Sequence, residues 1–545
     1  MGVWRIGDLF NDLVRAGALL IAISRVGVGL GWRRLRGQPL TPRELGVRCR
    51  QFCEQRGLTY RKLGQYLAIR SDLLHPDICD ELGRLFDAAM PMPFERVRQI
   101  LEEELGSPLS TLFTYFDSEP VGSASVAQVH RAVACDGQTL AIKVQRLSVR
   151  RDFPSESRLL LCIARFCDLV HLAGRVSIQD LVKEFIDFTA REMDFQLEGH
   201  TADRLRRDLG AHGYVPRIRW DLTTSRVLAM EYIEGVSVLT LCRLSEAGRA
   251  DEIRRLLPGV DLQRLITGLV DACFRQFFET GFFHGDPHPA NILVRPDNSF
   301  VFIDCGIFGE LSPEHRRDLR EYIEALTEER YSDAAEYYMR LCHPTPWTDV
   351  LDWKRDLVAV LTAWHRALKD RDAPRAHRHM GWWQGRIAQT MTKHHVRMRP
   401  NLLLVWRAMV MLDTTALQLP GRFDLLQATV NYFRRHRPSV PALLVEALEW
   451  RHLSEWAQGG PSLVRSVNQL LVSAPRREPA STLRRERASA DWRTSAAAMR
   501  AVMCTAFSVG VVTLLNTLPS GQATVPLIIL AGALLLSCAR GGRAE

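Results

Sequence analysis

The chain has 545 residues, 46% of them hydrophobic, enough for two compact domains or one large bilobal one with attached segments. The 71 basic and 62 acidic residues leave a formal charge of +9, which over this length fits a membrane surface better than a nucleic-acid groove; no nucleic-acid partner is expected. Its 12 cysteines contain no C-x-x-C pair, which argues against a thiolate zinc site and for reduced thiols on a cytosolic face.

In chain order, residues 1–40 place Trp4, Ile6, Leu9, Phe10, Leu13 and Val14 at helical spacing, predicting an amphipathic helix on a membrane or on the main domain. The apolar run Ala16–Ser24, cut by Arg25, is too short for a signal peptide or a span. Residues 41–118 read as helical. Thr41-Pro42-Arg43-Glu44 is a capping box with proline at the first helical position, and Leu45, Cys49, Phe52 and Cys53 form the apolar stripe behind it.

The pattern changes in residues 119–235. Val126–Ala134 reads as a strand, Asp136-Gly137 as a hairpin turn, and Leu140, Ile142 and Val144 alternate along a second strand. One long helical stretch from about Ile178 to Leu209 and a strand over Arg226–Tyr232 follow. Residues 236–472 carry short strands at Ile292–Val294 and Phe300–Ile303. From Ser312-Pro313-Glu314, with Leu319, Tyr322, Ile323 and Leu326 at helical spacing, the chain reads as all-helical.

Residues 473–500 hold seven arginines against Glu478, Glu486 and Asp491, which reads either as a basic juxtamembrane linker that anionic lipids would attract or as a solvated tether. Residues 501–539 contain no Asp, Glu, Lys or Arg. They divide at Pro519-Ser520-Gly521-Gln522 into segments of about 18 and 17 residues, each about 26 Å long as a helix, the lower limit for crossing a bilayer. A two-helix transmembrane hairpin is expected. Arg493 and Arg500 before it and Arg540 and Arg543 after it put both ends in the cytoplasm. Its Ala and Gly residues would also allow helix packing into a homodimer.

Chemistry enters through polar residues in a fixed order. Phosphoryl transfer needs an ammonium on the phosphates, a carboxylate fixing it, a carboxylate near the attacking oxygen, and oxygen ligands for Mg²⁺. Leu140-Ala141-Ile142-Lys143 matches a V-A-I-K type strand, whose alternation points Lys143 away from Leu140 and Ile142. A solitary lysine would ordinarily be solvated; this one has company downstream. His284-Gly285-Asp286-Pro287-His288-Pro289-Ala290-Asn291 places Asn291 five residues after Asp286, the kinase interval between base and metal ligand. Thirteen residues on, Asp304-Cys305-Gly306 follows an apolar strand, as a D-F-G type metal ligand does. His284 and His288 read as loop-bracing residues, since no carboxylate spacing makes them a zinc site.

Three further motifs have no place in ordinary protein kinases, and with them the chain resembles the UbiB family of atypical kinase-like proteins, closest to its bacterial members. Lys62-Leu63-Gly64-Gln65 is similar to that family's K-x-G-Q signature. Gly122-Ser123-Ala124-Ser125-Val126-Ala127-Gln128-Val129 is similar to its Ala-rich nucleotide loop. Glu192-x-Asp194 is similar to its E-x-D motif, followed by Glu198 as the partner of Lys143. Gly122 and Ser123 stand where alanines are common, and Cys305 replaces a bulky phenylalanine, which makes a swinging activation loop less expected.

The resemblance implies an α+β, kinase-like bilobal fold with a helical N-terminal extension and the C-terminal membrane hairpin. It implies ATP on the 122–129 loop, Lys143 and Glu198, Mg²⁺ on Asn291 and Asp304, and Asp286 as base or water-orienting group. Lys62, Gln65, Glu192 and Asp194 would be regulatory, with Lys62 reaching the Glu192-x-Asp194 pair. The implied setting is the bacterial inner membrane with the kinase-like domain in the cytoplasm, among hydrophobic quinone precursors and other ubiquinone-biosynthesis proteins. Two readings follow: an ATPase or small-molecule kinase, or a nucleotide-stabilised scaffold. An aminoglycoside- or choline-type phosphotransferase would share the His-Gly-Asp then Asn pattern, but not the K-x-G-Q helix or the hairpin.

Overall fold

The computed structural model describes residues 41–70, 73–86, 91–124, 126–169, 177–369, 380–419, 423 and 425–436. The amphipathic segment of residues 1–40, the basic linker and the membrane hairpin lie outside them, and no described helix is long and apolar enough to cross a membrane.

Three helices begin the described chain: α1 (Pro42–Gln55), α2 (Leu58–Ala68) and α3 (Pro76–Gly83). The capping box forms as expected. Thr41 Oγ1 accepts from Glu44 N–H, and Glu44 Oε2 accepts from Thr41 N–H at 2.8 Å. Gly64, midway along α2, faces Leu85 and Cys53 so closely that an added β-carbon would overlap the Leu85 side chain. That close approach lets α2 lie on its neighbours, and Gln65 completes it by donating to the Leu85 carbonyl at 2.8 Å.

Helices α4 (Phe94–Leu105) and α5 (Leu109–Leu112) lead into an antiparallel sheet of β1 (Phe113–Phe116), β2 (Gly122–Ser123), β3 (Ala127–Ala134), β4 (Thr139–Gln145) and β5 (Val227–Glu231). Strand order is β1-β3-β4-β5, with β2 on β3. The expected alternation along β4 sorts two clusters. Leu140, Ile142 and Val144 pack with Val97, Ile100 and Leu101 of α4, while Ala141 joins Val126, Ala127 and Phe195 on the other face. At about 25 cal/mol per Å² of apolar surface, such buried aliphatics each contribute about 1.5–3 kcal/mol.

Between β4 and β5 the structure departs from the single helical stretch expected over Ile178–Leu209. It has α6 (Leu147–Leu169), then two helices, α7 (Ile178–Glu192) and α8 (Phe195–Leu209). The break falls at Asp194, whose Oδ1 accepts from Gln196 and Leu197 N–H and caps α8. A short side chain that competes for its own backbone favours a cap over a helix interior.

The second lobe comprises β6 (Val236–Ser237), α9 (Val238–Glu246), α10 (Ala250–Leu256), α11 (Leu262–Arg275), β7 (Phe282–His284), β8 (Ile292–Val294), β9 (Phe300–Phe302) and β10 (Phe308–Glu310). Then follow α12 (Pro313–Thr327), α13 (Tyr331–Leu341), β11 (Cys342–Pro344), α14 (Val350–Lys369), α15 (Met380–Lys393), β12 (Val396–Met398), α16 (Pro400–Gln418) and α17 (Leu425–Arg435). Among the described residues, the regular elements after Ser312 are therefore helices except for the antiparallel pair β11–β12. Its core is aromatic, with Phe274, Phe277, Phe283, Tyr322, Tyr338 and Trp353 fully buried. Strands β6-β8-β9 form one small sheet, and β7 pairs with β10, so the two loops with the expected chemistry, β7 to β8 and β9 to β10, both connect the same two sheets.

Candidate functional site

The register of β3 and β4 sets Val129 opposite Lys143, on the face away from α4. There Lys143 donates to both oxygens of Glu198, at 2.7 and 3.0 Å, and lies 3.3 Å from Asp304 Oδ2. Burial works against the lysine's charge, yet Asp304 and Glu198 hold its ammonium above the ordinary range. Burial would likewise raise Asp304, but Lys143 and the Gly306 N–H outweigh it and keep this carboxylate below its usual value. Glu198 carries the cost: burial pushes it up to about 7 against the pull of Lys143, with Asp304 adding to the rise. One ammonium thus serves two carboxylates.

The nucleotide-type loop is the β2–β3 turn. Ala124 N–H donates to the Ala127 carbonyl, and Arg146 binds Ser123 Oγ at 2.7 Å and the Ala124 carbonyl at 3.1 Å. Ser125 lies outside the described residues. Gly122 and Ser123 form β2, and Val126, Ala127 and Val129 share the face of Lys143. Gln128 does not: its side chain points to the α4 face, accepts from Met92 N–H at 2.6 Å and donates to His130 Nε2. There it acts as a brace.

On the lower side, His284 Nδ1 accepts from Asp286 N–H at 3.1 Å, so Nε2 carries the proton donated to the Asp304 carbonyl at 2.5 Å. Burial pushes this imidazole down, which keeps it neutral in that role. One histidine therefore ties the Asp286 loop to the Asp304 loop. His288 Nδ1 accepts from Ala290 N–H and braces the turn before Asn291. Asn291 Nδ2 donates to the Asp286 carbonyl at 3.4 Å, and its backbone carbonyl takes Ile303 N–H, which fixes Asn291 beside the strand end that delivers Asp304.

Lys62 pairs with Glu192 across 130 residues of sequence, with both side chains largely buried. Asp194, the other acid of that motif, is engaged as the α8 cap. Tyr66, one turn further along α2, and Arg70, just past its end, both reach Glu184 of α7, at 2.8 and 2.6 Å. This α2–α7 seam is held by more than the lysine.

Two functional-site residues escape the motifs. Arg407 of α16 donates to Asp286 Oδ1 at 2.9 Å. Its only sequence signal is its position as the one charge in the run Leu402–Leu412. Gln276 opens a π-helical turn, Gln276–Thr280, after α11, and its buried side chain accepts from His284 N–H at 2.7 Å. Such turns recur at functional sites.

The donor set suits magnesium arriving with phosphates. Asp304 and Asn291 offer hard oxygen ligands, and Mg²⁺ binds through one or two carboxylates plus substrate phosphates and water. Among the described residues no group of three His, Cys, Asp or Glu side chains forms a cage of its own.

Residues 84–338 match the ABC1 atypical kinase-like domain. The probable protein kinase UbiB of Marinobacter nauticus is 30% identical over 438 residues, covering 78% of this chain and 76% of that protein. That of Pseudomonas fluorescens is 31% identical over 454 residues, covering 81% and 80%. Among solved structures, the Rv3197–erythromycin complex of Mycobacterium tuberculosis aligns with a TM-score of 0.43 at 21% identity, over 62% of this chain and 82% of that one. With these relatives matched over most of both chains, and with the kinase-like site assembled from its own motifs, the chain belongs to the UbiB family of ABC1 atypical kinase-like proteins.

Proposed function

We propose that this protein is a membrane-attached ATPase or small-molecule kinase that supports ubiquinone biosynthesis. The observation that carries the reading is the Lys143–Glu198–Asp304 cluster, with Lys143 and Glu198 buried and Asp304 partly open to solvent, on the sheet face that Val129 shares. Two carboxylates on one ammonium leave a surplus negative charge, which a divalent cation would neutralise. Bound Mg-ATP would supply the transferable phosphoryl group. Lys143 would bind the phosphates, with Glu198 orienting Lys143; Asp304 and Asn291 would hold the metal, and Asp286 would orient the attacking oxygen. The Gly122–Val129 loop would cover the nucleotide with its backbone and the apolar side chains of Val126 and Val129.

Quinone precursors as the hydrophobic cargo, other ubiquinone-biosynthesis proteins as partners, and the bacterial inner membrane as location rest on the family and on the uncharged run 501–539. The seven arginines of residues 473–500 would bind anionic lipids on the cytoplasmic side. Removing everything after Arg500 should move the protein toward the soluble fraction. Salt-resistant retention would instead credit residues 1–40 as anchor.

The deciding experiment is a lipid and quinone profile of a deletion strain complemented with wild-type protein or Asp304→Asn. The wild type should restore ubiquinone and the variant should not. Full restoration by the variant would remove nucleotide handling from the function. Purified Asp286→Asn separates catalysis from scaffolding: it should bind Mg-ATP yet turn it over slowly, and wild-type turnover in that variant would favour the scaffold.

A further inference from the structure

The catalytic-type loop 284–291 contains Asp286 and no lysine or arginine. Its two histidines supply no positive charge either. Each Nδ1 is spent accepting a backbone N–H, from Asp286 and Ala290 respectively. Lys143 lies on the Glu198–Asp304 side of the site. The cation on the Asp286 side comes from 121 residues further along: Arg407, whose Nη2 meets Asp286 Oδ1 at 2.9 Å.

That placement is costly. Arg407 and Asp286 have side-chain exposures of only 9% and 12%, and the neighbours of Arg407 on α16 include buried Leu403, Leu404, Trp406 and Ala408. A buried ion pair is a poor stabiliser compared with apolar packing of similar volume, so stability alone does not account for it. The helix that presents it is also fixed at both ends. Asn401 Nδ2 donates to the Glu310 carbonyl at 2.6 Å, tying α16 to β10 just beyond the Asp304 loop. Asp413 Oδ2 accepts from Met380 N–H at 2.9 Å, tying it to α15. A charged group on a rigid element, anchored beside the reacting centre, is how transition-state charge is met without reorganisation.

We infer that Arg407 is an arginine finger supplied in cis: it anchors Asp286 through Oδ1 and binds the phosphoryl group during its transfer. The inference rests on the nucleotide reading given above and deepens it. In hydrolysis the water oxygen bonds to the γ-phosphorus while the bridging P–O bond breaks with its electron pair going to ADP. The water proton passes to solvent. Arg407 meets the equatorial phosphoryl oxygens, where charge accumulates, and Asp286 Oδ2, which has no hydrogen bond among the described residues, orients the water. Ground-state binding of ADP needs no part of this arrangement.

The test uses full-length protein in detergent, as wild type, Arg407→Gln and Arg407→Lys, with thermal-shift titrations of Mg-ADP and of Mg-ADP plus aluminium fluoride, a mimic of the transferring phosphoryl group. Arg407→Gln should bind Mg-ADP within about threefold of wild type, and should lose about tenfold or more for the aluminium fluoride complex. Arg407→Lys keeps the charge and guards against a variant that fails to fold; it should show the same selective loss, smaller in size. Millimolar guanidinium should restore part of the ATP turnover lost in Arg407→Ala, an effect that repacking a helix would not produce. Equal losses for both ligands in Arg407→Lys, or no loss in either, would overturn the assignment and leave the nucleotide reading intact. A wild type that binds no Mg-ADP would overturn the nucleotide reading itself, and this inference with it.

Discussion

Lys143 on β4 and Glu198 on α8 meet through both carboxylate oxygens, at 2.7 and 3.0 Å, while Asp304 claims the same ammonium from 3.3 Å. Glu198 is the acid whose proton is held more tightly in the folded chain, up to about 7 against an ordinary 4.5. A group raised in this way contributes stability that is fully present below pH 4.5 and is lost as pH rises through about 7. The protein without nucleotide should therefore lose stability from this group across that window. Glu198→Gln, which cannot titrate, should show a flatter profile in thermal melts at pH 5, 6 and 7. Parallel curves for the two proteins would mean that Glu198 stays ionised throughout.

Lys143→Ala and Asp304→Asn each remove a charge that would face phosphates or metal. Each should weaken Mg-ATP binding by about tenfold or more, read by thermal-shift titration. In Lys143→Ala the two acids lose their common cation, so the protein should also melt earlier. Unchanged Mg-ATP affinity in both variants would remove these residues from the site.

Lys62→Ala strips Glu192 of its partner in a largely buried seam, at a cost of about 1–3 kcal/mol for the orphaned acid. Because Arg70 and Tyr66 still hold Glu184, α2 should loosen without detaching. Hydrogen exchange should rise in Leu58–Ala68, and ATP turnover or autophosphorylation should change with it. Wild-type exchange together with wild-type turnover would show that this lysine does not govern access to the site.

Gly64→Val should destabilise by about 1–3 kcal/mol through overpacking, since even a β-carbon there overlaps Leu85. The glycine of the K-x-G-Q motif would then be a packing requirement, separate from the charge on Lys62. Pairing Gly64→Val with Leu85→Ala should recover part of the loss. No recovery would point to a different clash.

Strands and their faces were legible because alternation is a local signal, and β3, β4 and the Asp136-Gly137 turn stand where the pattern puts them. The break at Asp194 was legible only in retrospect, because the apolar spacing runs through it while the capping side chain interrupts it. The spacings around Asp286, Asn291 and Asp304 carried the site for a similar reason: each side chain is delivered by a strand end or a short turn. Arg407 and Gln276 were hidden because their roles come from contacts across long stretches of chain, which no periodicity records. A single arginine within Leu402–Leu412 was the available clue. Gln128 shows the opposite limit, since it lies within a recognised motif yet strand alternation turns it to the other face.

The π turn at Gln276–Thr280 closes with Gly281 N–H donating to the Gln276 carbonyl at 2.8 Å, five residues apart, so it holds one residue more than an ordinary helical turn. Each residue of an α-helix advances the chain by about 100° around the axis. Deleting one residue from this turn would let the helix continue in regular form and would rotate everything joined to it by about that angle. The strand carrying His284 would then meet its neighbours with the wrong side chains facing inward, although every motif residue was still present. The surplus residue works as a phase adjuster between the helical lobe and the catalytic loop, and shortening it should abolish the site by misaiming an intact set of parts.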